Sequence, residues 1–301
     1  MKESFSFRLL WAAAWLFGRM PRWFRYGVSD VLSFLLYRVV RYRRTVVADN
    51  IARSFPDKSP GERLRIERRF YRHLGDVFVE TVSLVSMTES RLRRYMVYEN
   101  REVVDSASCG RPMIAAMSHY GQWEYTIGYS LFTDHPVKAV YHPLSSPMAE
   151  MFYKKMRSRF GTEPVTMKAV TRSVMREIAA GRHPIVALIA DQTPPIMGVK
   201  NFIRFLSQPT AFFIGMERMA LGFGMSVVFM AIRRTPKRGY YTVRFTQIYD
   251  GVEQVPPDTI TRRYATALEE LIRENPEYWI WSHKRWKHHP DAERPYIDEE
   301  E

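Results

Sequence analysis

The chain's 301 residues, 46% of them hydrophobic, are enough for one large α/β domain with a sizeable core. Its net charge of +13 favours an acidic partner, whether anionic lipid, nucleic acid or an acidic protein. A single cysteine, Cys109, excludes a disulfide framework and a zinc cluster built on thiolates. There is also no phosphate-binding P-loop, no Gly-x-Ser-x-Gly nucleophile elbow and no His-Glu-x-x-His zinc helix.

The first 44 residues alternate apolar stretches with arginine clusters. Residues 5–17 and 28–40 are mainly apolar, and each is followed by arginines interleaved with aromatic residues. Aromatic residues beside arginines are typical of the lipid–water boundary. Each stretch is shorter than the roughly 20 residues that a spanning helix needs. We therefore predict a membrane-seated helical segment at residues 1–44, facing the cytoplasm. The alternative is an ordinary amphipathic helix pair packed on the domain.

The next part of the chain is predicted to be helical. Residues 45–54 form a short helix that Pro56 ends. The sequence from Ser59 to Glu62 is typical of a helix start, with a capping serine, an early proline and an acid three residues after the cap. This helix is expected to extend to about Ser86. Two shorter helices follow it, before the first core strand.

Apolar runs then alternate with helical patterns. Predicted strands lie at 113–117, 137–141 and 184–190, and predicted helices at 122–131, 147–160 and 168–180. This alternation is typical of a mainly parallel sheet. The fold class that the pattern predicts is α/β, with a mainly parallel central sheet wrapped by helices.

The last third is predicted to contain one antiparallel hairpin and two helices. We predict a loop at 193–208, with exposed Phe202, Phe205 and Leu206. The predicted helices are 209–222 and 259–274, and the hairpin strands, at one end of the sheet, are 225–233 and 240–249. Residues 298–301 are predicted to be an acidic, disordered tail.

His119 lies where the buried strand 113–117 leads into a helix, and Glu124 follows five residues later. Histidine can take a proton at neutral pH, and a carboxylate can fix its tautomer. On a regular helix the two would point about 140° apart, so the pair requires His119 in the turn and Glu124 in the first helical turns. Gly121 tolerates such a turn. The alternative is a capping histidine and an exposed glutamate.

A second polar group, Asp191-Gln192, ends the strand 184–190. Strands of a parallel sheet end at one edge, so His119 and this group could line one cleft. We predict a basic wall for phosphates or carboxylates, formed by four further cations: Arg157, Arg159, Arg285 and Lys287. With no serine or cysteine nucleophile beside His119, the pattern indicates acyl transfer to a hydroxyl of an anionic lipid. His119 would be the general base and Glu124 its partner.

Two motifs in the first half of the chain resemble those of a known family. His119 to Glu124 matches the pattern His-x-x-x-x-Asp/Glu. The basic segment 41–50, which ends in Asn50, is followed by Phe55-Pro56. The family is the late acyltransferases of lipid A biosynthesis, the lauroyl and myristoyl transferases of the glycerolipid-acyltransferase-like superfamily.

Two motifs in the second half resemble the same family. One is the strand-end Asp191-Gln192. The other is the segment 281–287, Trp-Ser-His-Lys-Arg-Trp-Lys, which is similar to Trp-x-His-Arg-Arg-Phe/Trp-Lys. Family members often have Tyr-Arg-Pro after the second strand, where this chain has Tyr141-His142-Pro143. His142 therefore replaces a candidate oxyanion or phosphate contact, and Arg157 or Arg159 could supply the cation instead.

The resemblance implies an acyltransferase domain over residues 45–297, with acyl carrier protein as the acyl donor and a lipid A precursor as the acceptor. It implies His119 as general base and Glu124 as its partner, on the cytoplasmic face of the bacterial inner membrane. No metal or redox cofactor is implied. The substrate-binding positions remain His142, the strand-end pair and the basic wall.

Other functions fit parts of the pattern. The nearest alternative is an acyltransferase for a lysophospholipid, an aminolipid or a glycolipid. A basic nucleic-acid-binding protein fits the net charge, but no recognised nucleic-acid module is present. An inactive scaffold that kept the fold is the third alternative, and the presence of His119 and Glu124 argues against it.

Overall fold

Two of the predicted buried strands, 113–117 and 185–189, lie side by side at the centre of a seven-stranded sheet. The computed structural model describes residues 4–297. The acidic tail predicted at 298–301 lies outside the described residues. The strands are β1 (Met96–Tyr98), β2 (Met113–Met117), β3 (Val137–Tyr141), β4 (Glu163–Thr166), β5 (Ile185–Ile189), β6 (Phe202–Phe205), β7 (Gln208–Thr210), β8 (Ser226–Arg234), β9 (Tyr241–Tyr249) and β10 (Tyr296–Ile297).

Helices surround this sheet, and they form most of the N-terminal third of the chain. The α-helices are α1 (Phe5–Arg19), α2 (Arg22–Phe34), α3 (Arg44–Ser54), α4 (Pro60–Ser83), α5 (Glu89–Tyr95), α6 (Glu102–Ala107), α7 (Pro147–Arg157), α8 (Val170–Ala179), α9 (Gly215–Phe223) and α10 (Thr259–Glu274). A π-helical turn at Leu35–Val39 extends α2. Short 3₁₀ helices lie at Leu84–Ser86, Trp123–Phe132, Ser158–Phe160, Ile196–Gly198 and Pro276–Tyr278.

The large sheet has the strand order β1-β9-β8-β2-β5-β3-β4. Every neighbouring pair in it is parallel except β8 and β9, which form the predicted antiparallel hairpin toward one end. All five residues of β2 are buried, because helices cover both faces of the sheet. The prediction of a mainly parallel α/β sheet wrapped by helices is confirmed.

Each face of the sheet has its own apolar layer. On one face, Ile114 and Ala116 of β2 pack with apolar side chains of α3, α4, α8, α9 and α10. On the other face, Ala115 and Met117 pack with α1, α5, α6, α7 and the 3₁₀ helix Trp123–Phe132. This alternation along one strand separates the two layers.

Local signals in the sequence predicted several helix ends correctly. Ser59 caps α4: its hydroxyl accepts from the Glu62 backbone N–H at 3.3 Å, and the Glu62 carboxylate accepts from the Ser59 N–H at 2.8 Å. This reciprocal pair satisfies donors that the first helical turn leaves free. The helix predicted at 259–274 is α10.

The segment after β5 differs from the prediction. Residues 193–208 were predicted as a loop, but Phe202–Phe205 is the strand β6, paired with β7 and β10. Phe202, Phe205 and Leu206, predicted to be exposed, are 0% exposed. Leu206 and Ser207 form a two-residue hairpin turn at positive φ without the glycine or asparagine that normally signals one. The helix predicted from residue 209 begins later, at Gly215, because Pro209 belongs to the strand β7. The edge strand β4 was also missed.

The N-terminal segment forms two helices, α1 and α2, that pack against α4. Ser29 of α2 donates a hydrogen bond to the buried Asp76 of α4 at 2.6 Å. Phe7 and Ala14 of α1 are buried against the domain. Within residues 4–297, no helix combines the length and the hydropathy needed to cross a bilayer.

Candidate active site

The carboxyl ends of β2 and β5 bring together two of the predicted site residues, His119 and Asp191. Met117 and Ile189 are register partners at the ends of these parallel strands. His119 and Asp191 each lie two residues further on, so they meet at the same edge of the sheet. The chain turns sharply after His119, because Gly121 adopts a φ of +61°.

Asp191 holds His119 at two points. The His119 ring nitrogen Nδ1 lies 2.7 Å from Asp191 Oδ1, and the His119 backbone N–H donates to Asp191 Oδ2 at 2.8 Å. Trp279 Nε1 donates to the same Oδ2 at 2.8 Å. Asp191, rather than Glu124, contacts the imidazole at Nδ1, and the predicted contact between His119 and Glu124 is not formed. The physical reason is that strand register, rather than local helical spacing, decides which carboxylate reaches Nδ1.

The electrostatics of Asp191 favour the charged form. Burial by itself would raise the pKa of this carboxyl group. The charge of His119 and the hydrogen bonds from His119 and Trp279 outweigh burial, so the pKa lies below its ordinary value. A carboxylate that is ionised at Nδ1 keeps that nitrogen protonated and leaves Nε2 as the proton acceptor.

Glu124 has a different partner, Arg157. Arg157 Nε donates to Glu124 Oε2 at 2.9 Å, and a second hydrogen bond makes the pair bidentate. Burial would lower the pKa of Arg157, but the charge and hydrogen bonds of Glu124 outweigh it and raise that pKa. Glu124 is 5% exposed and is the second residue of the 3₁₀ helix Trp123–Phe132, and its carboxylate meets Arg157 at the end of α7.

His119 opens on a cavity of about 1040 Å³ at this edge of the sheet. The size is at the upper end of small-molecule sites, about 300–1,000 Å³. Trp123 packs edge-to-face on the His119 ring, with centroids 5.1 Å apart. Nε2 of His119 lies 3.5 Å from Nε2 of Gln192. The predicted site residues that line the cavity are His119, Glu124, His142, Arg157, Gln192 and Lys287.

Two residues of the predicted basic wall do not line this cavity. Arg159 instead donates to the backbone carbonyls of Leu84 and Met87, so it ties the end of α7 to the turn after α4. Arg285 is 2% exposed and lies over the Phe212 ring, 4.5 Å from its centroid. Burial lowers the pKa of Arg285 to about 10. Arg285 is therefore enclosed in the protein interior. Arg159 instead joins two helical segments of the fold.

The late motif 281–287 has a structural role that links it to the early motif. Asn50 donates from Nδ2 to the carbonyls of Trp281 and His283, at 2.8 and 2.9 Å. Thr193 Oγ1, two residues after Asp191, donates to the carbonyl of Arg285. These contacts hold the C-terminal segment in place, and Trp279 of that segment contacts Asp191. The two motifs were recognised separately in the sequence, and the structure brings them into contact.

The sequence did not single out Trp123, Tyr153 or Trp279 as site residues. Trp279 is 2% exposed and its indole N–H holds Asp191. Trp123 and Tyr153 line the cavity. An aromatic residue inside a predicted helix or strand is ordinarily a core residue, so only the direction of each ring reveals its place in the site.

The family of the chain follows from a comparison with known proteins. Among curated proteins, none was found to match the chain. The family model for the bacterial lipid A biosynthesis acyltransferases matches residues 2–288, nearly the whole chain, and confirms the resemblance drawn from the motifs. The protein belongs to the bacterial lipid A biosynthesis acyltransferase family and is an acyltransferase.

Proposed function

We propose that this acyltransferase moves a fatty acyl group from acyl carrier protein to a hydroxyl of a lipid A precursor, with His119 as the general base. The observation that supports this most is the His119–Asp191 dyad, which opens on a cavity large enough for a lipid substrate. Among residues 4–297, the cavity lining contains no serine or cysteine. In this proposal the substrate hydroxyl itself is the nucleophile.

In the proposed reaction, the acceptor hydroxyl oxygen attacks the carbonyl carbon of the donor thioester while His119 Nε2 takes the hydroxyl proton. Asp191 stabilises the imidazolium that forms, through its 2.7 Å contact with Nδ1. The tetrahedral intermediate then collapses and the carbon–sulfur bond breaks. His119 returns its proton to the leaving sulfur, which gives the new ester and the free thiol of the donor.

The negative oxygen of the intermediate needs hydrogen-bond donors in the cavity. Gln192 supplies an amide N–H group beside His119 Nε2, and Lys287 lies in the same lining. Arg157 keeps guanidinium N–H groups that Glu124 does not occupy. In this proposal Glu124 acts by holding Arg157 toward substrate, while Asp191 has the role that the family pattern suggested for Glu124.

Acyl carrier protein as the donor and a lipid A precursor as the acceptor come from the family resemblance. Charge supports both, because the net charge of +13 attracts an acidic carrier and a phosphorylated lipid. His142 and Lys287 lie in the cavity lining, where they could contact acceptor phosphates or sugar hydroxyls.

The test is acyl transfer by the purified, detergent-solubilised protein. Acyl carrier protein thioesters are offered with either a tetra-acylated lipid A precursor or a lysophospholipid, and His119→Ala is the control. We expect transfer to the lipid A precursor, reduced more than about 100-fold in the variant. Transfer only to the lysophospholipid would retain the chemistry and reject the acceptor. A folded His119→Ala protein with wild-type turnover would reject the general base.

The N-terminal helices form the proposed contact with the cytoplasmic face of the bacterial inner membrane. Large apolar side chains that are more than half exposed on α1, α2 and the following turn are Phe5, Leu9, Leu16, Trp23, Val31, Phe34, Val39 and Val40. Such a surface exceeds the isolated apolar residues of ordinary soluble proteins. Arg19, Arg38 and Arg41 lie exposed beside it, as expected where a helix lies on anionic lipid.

Flotation with vesicles of phosphatidylethanolamine and phosphatidylglycerol tests the membrane contact. The double variant Trp23→Ser/Phe34→Ser should lose most of the binding that the wild-type protein shows. Its matched control is Met175→Ser/Met197→Ser, which removes two exposed apolar side chains outside the N-terminal helices. Equal flotation of the wild-type protein and the N-terminal double variant would reject this surface as the anchor.

A further inference from the structure

Arg285 is a buried cation that the proposed reaction does not use. It is 2% exposed, and within the described part of the chain its three guanidinium nitrogens have no hydrogen-bond partner. A guanidinium carries five N–H donors, and a buried charge is ordinarily paired and hydrogen-bonded. An enclosed arginine without such partners therefore needs another source of stabilisation, and its surroundings identify one.

The segment that carries Arg285 is fixed beside the His119–Asp191 dyad. Thr193, two residues after Asp191, donates from Oγ1 to the Arg285 carbonyl at 2.5 Å. The next residue, Trp286, donates from Nε1 to the Thr210 hydroxyl at 2.7 Å. Arg285 does not line the cavity, so it does not contact substrate. Any effect of its charge on the reaction therefore acts through another side chain.

An aromatic ring covers one face of the guanidinium. Cζ of Arg285 lies 4.5 Å from the centroid of the Phe212 ring, a cation–π contact that stabilises a desolvated cation. Phe212 in turn packs edge-to-face on Tyr264, with centroids 6.2 Å apart. Tyr264 donates its hydroxyl to the carbonyl of Met117 at 2.7 Å. Met117 ends β2, so the support of Arg285 is built on the strand that leads to His119.

Asp191 is the carboxylate that acts on Arg285. Burial lowers the pKa of Arg285 to about 10, and the charge of Asp191 opposes that decrease, so Arg285 is cationic at neutral pH. Two other titratable groups pack into this cluster, His283 of the late motif and Tyr264 of α10. Burial lowers the pKa of His283 to about 4 and raises that of Tyr264 well above its ordinary value. Both are neutral near pH 7, so Asp191 and Arg285 carry the charges on this side of His119.

We propose that Arg285 is a positioning residue for the dyad: its charge balances that of Asp191, which keeps the carboxylate ionised and keeps His119 free of a proton until the acceptor hydroxyl binds. This inference rests on the proposed function, because it requires His119 to act as a base. An unbalanced carboxylate would favour the imidazolium before the substrate arrives, and an imidazolium cannot accept the hydroxyl proton. A cation several ångströms away weakens that attraction without a hydrogen bond to either group.

Charged side chains also face His119 from the cavity: Glu124, His142, Arg157, Arg218 and Lys287. His142, Arg218 and Lys287 are exposed, so water and salt screen their charges. Arg157 forms a bidentate pair with Glu124, and the opposite charges of that pair largely offset each other at a distance. The cavity residues Tyr141 and Tyr153 are neutral, because burial raises their pKa. Arg285 is enclosed, so its field is screened least, and removing its charge should have the largest effect.

The first test measures kcat/KM for acyl transfer from about pH 5.5 to about pH 9. Arg285→Met removes the charge and leaves an apolar side chain that suits the aromatic contact. The acid limb of the profile, where His119 becomes protonated, should move upward by about one pH unit, so kcat/KM falls about tenfold at pH values below it. At the alkaline end the variant should recover to near the wild-type value. Arg285→Gln removes the same charge and is the second neutral variant.

Two further variants separate charge from packing. Arg285→Lys keeps a cation and should retain most of the wild-type limb. Lys284→Met removes a charge from the adjacent, exposed position and should leave the limb unchanged. Thermal unfolding of each variant verifies that it is folded, and an arginine with a merely structural role would lower Tm without moving the limb. A folded neutral variant with the wild-type limb, or a lysine variant that shifts as far as Arg285→Met, would overturn the inference.

The second test does not depend on turnover. Diethyl pyrocarbonate modifies the unprotonated imidazole, so the rate at which the His119 peptide is modified, followed by mass spectrometry across pH, reports the protonation of His119. We expect the midpoint of this rate to rise by about one pH unit in Arg285→Met and to stay unchanged in Lys284→Met. Equal midpoints in the wild-type protein and Arg285→Met would contradict the inference. Absence of transfer by the wild-type protein in the first test would instead reject the proposed function, and the modification rates would still decide whether Arg285 acts on His119.

Discussion

The loop 118–122 lies between two buried polar clusters, and each cluster contains a histidine and a carboxyl group. On one side, His119 and Asp191 open on the cavity. On the other side, His73 and Glu80 of α4 contact Gly121 and Gln122 of the loop and are closed off from solvent. The first is here called the open cluster and the second the sealed cluster.

The sealed cluster favours neutral side chains. Glu80 accepts hydrogen bonds from Tyr26, Tyr241 and Gln122, at 2.9, 2.8 and 3.1 Å. Burial nevertheless raises the pKa of Glu80 to about 7, and the nearby Asp76 charge adds to this. Burial likewise lowers the pKa of His73 to about 4. His73 is therefore neutral at neutral pH, and Glu80 is neutral below about pH 7. Both are closed off from solvent, so they hold the backbone of the loop and do not face a substrate.

The open cluster favours the charged carboxylate. Asp191 is as buried as Glu80, but His119 and the indole of Trp279 keep its pKa low. His119 is 20% exposed in its side chain and lies at the cavity. Burial alone therefore does not decide the charge of a carboxyl group. The charge of the carboxyl group also depends on its partners. Access to the cavity then decides whether the charged group can take part in a reaction.

The largest effect that separates the two clusters is expected from Asp191→Asn. An amide in place of the carboxylate does not stabilise the imidazolium, so kcat should fall by about 10²–10⁴-fold. The unfolding free energy should change much less than kcat, since the shape of the side chain is kept. The measurement is steady-state acyl transfer together with thermal unfolding. A folded variant with wild-type kcat would show that Asp191 does not act on His119.

The matched change in the sealed cluster, Glu80→Gln, should alter the pH dependence of stability. Because the folded pKa of Glu80 is raised from 4.5 to about 7, the folded state holds a proton that the unfolded state releases between those values. The wild-type unfolding free energy therefore loses on the order of 3 kcal/mol as the pH rises through this window.

Glutamine does not titrate, so the variant lacks this loss. Chemical denaturation at about pH 5 and about pH 8 should show Glu80→Gln gaining stability relative to the wild-type protein at the higher pH. The opposite slope that His73 contributes is common to both proteins and cancels in the difference. Parallel stability curves for the two proteins would contradict a neutral Glu80.

Gly121→Ala tests the loop that joins the clusters. An alanine at φ +61° is strained, and its Cβ would lie 2.9 Å from Cγ2 of Ile232. We expect a loss of roughly 2 kcal/mol in unfolding free energy, with a smaller loss of activity as His119 is displaced. Gly110→Ala is the control, since it also has positive φ but no neighbour within 4 Å. Equal destabilisation by both variants would show that backbone strain alone is responsible.

The smallest effect is expected from Glu124→Gln, which removes the charge that holds Arg157. We expect kcat/KM to fall by about tenfold, mainly through KM, because the guanidinium remains but is less firmly placed. The pH profile of kcat should keep its wild-type shape, since His119 retains Asp191. A variant that loses kcat as severely as Asp191→Asn and shifts that profile would restore Glu124 as the partner of His119.

The sequence by itself determined the elements that depend on local chemistry. The buried run of β2, the capping pair of Ser59 and Glu62, and the alternation of helices with strands predicted the mainly parallel sheet. His119 and Asp191 were also found from the sequence, because each is a polar residue immediately beyond a buried strand. These signals lie within a few residues of one another along the chain, so no distant contact was needed to interpret them.

Only the tertiary structure decided which carboxylate meets His119. Glu124 is five residues away and Asp191 is 72 residues away, yet parallel register places the distant one at Nδ1. The same holds for Leu206, buried by a hairpin turn with no local signal, and for Arg285, whose cationic side chain is enclosed rather than displayed. Whether a side chain is buried, and which group it contacts, depends on segments that are distant in the sequence. Composition alone therefore does not specify either property.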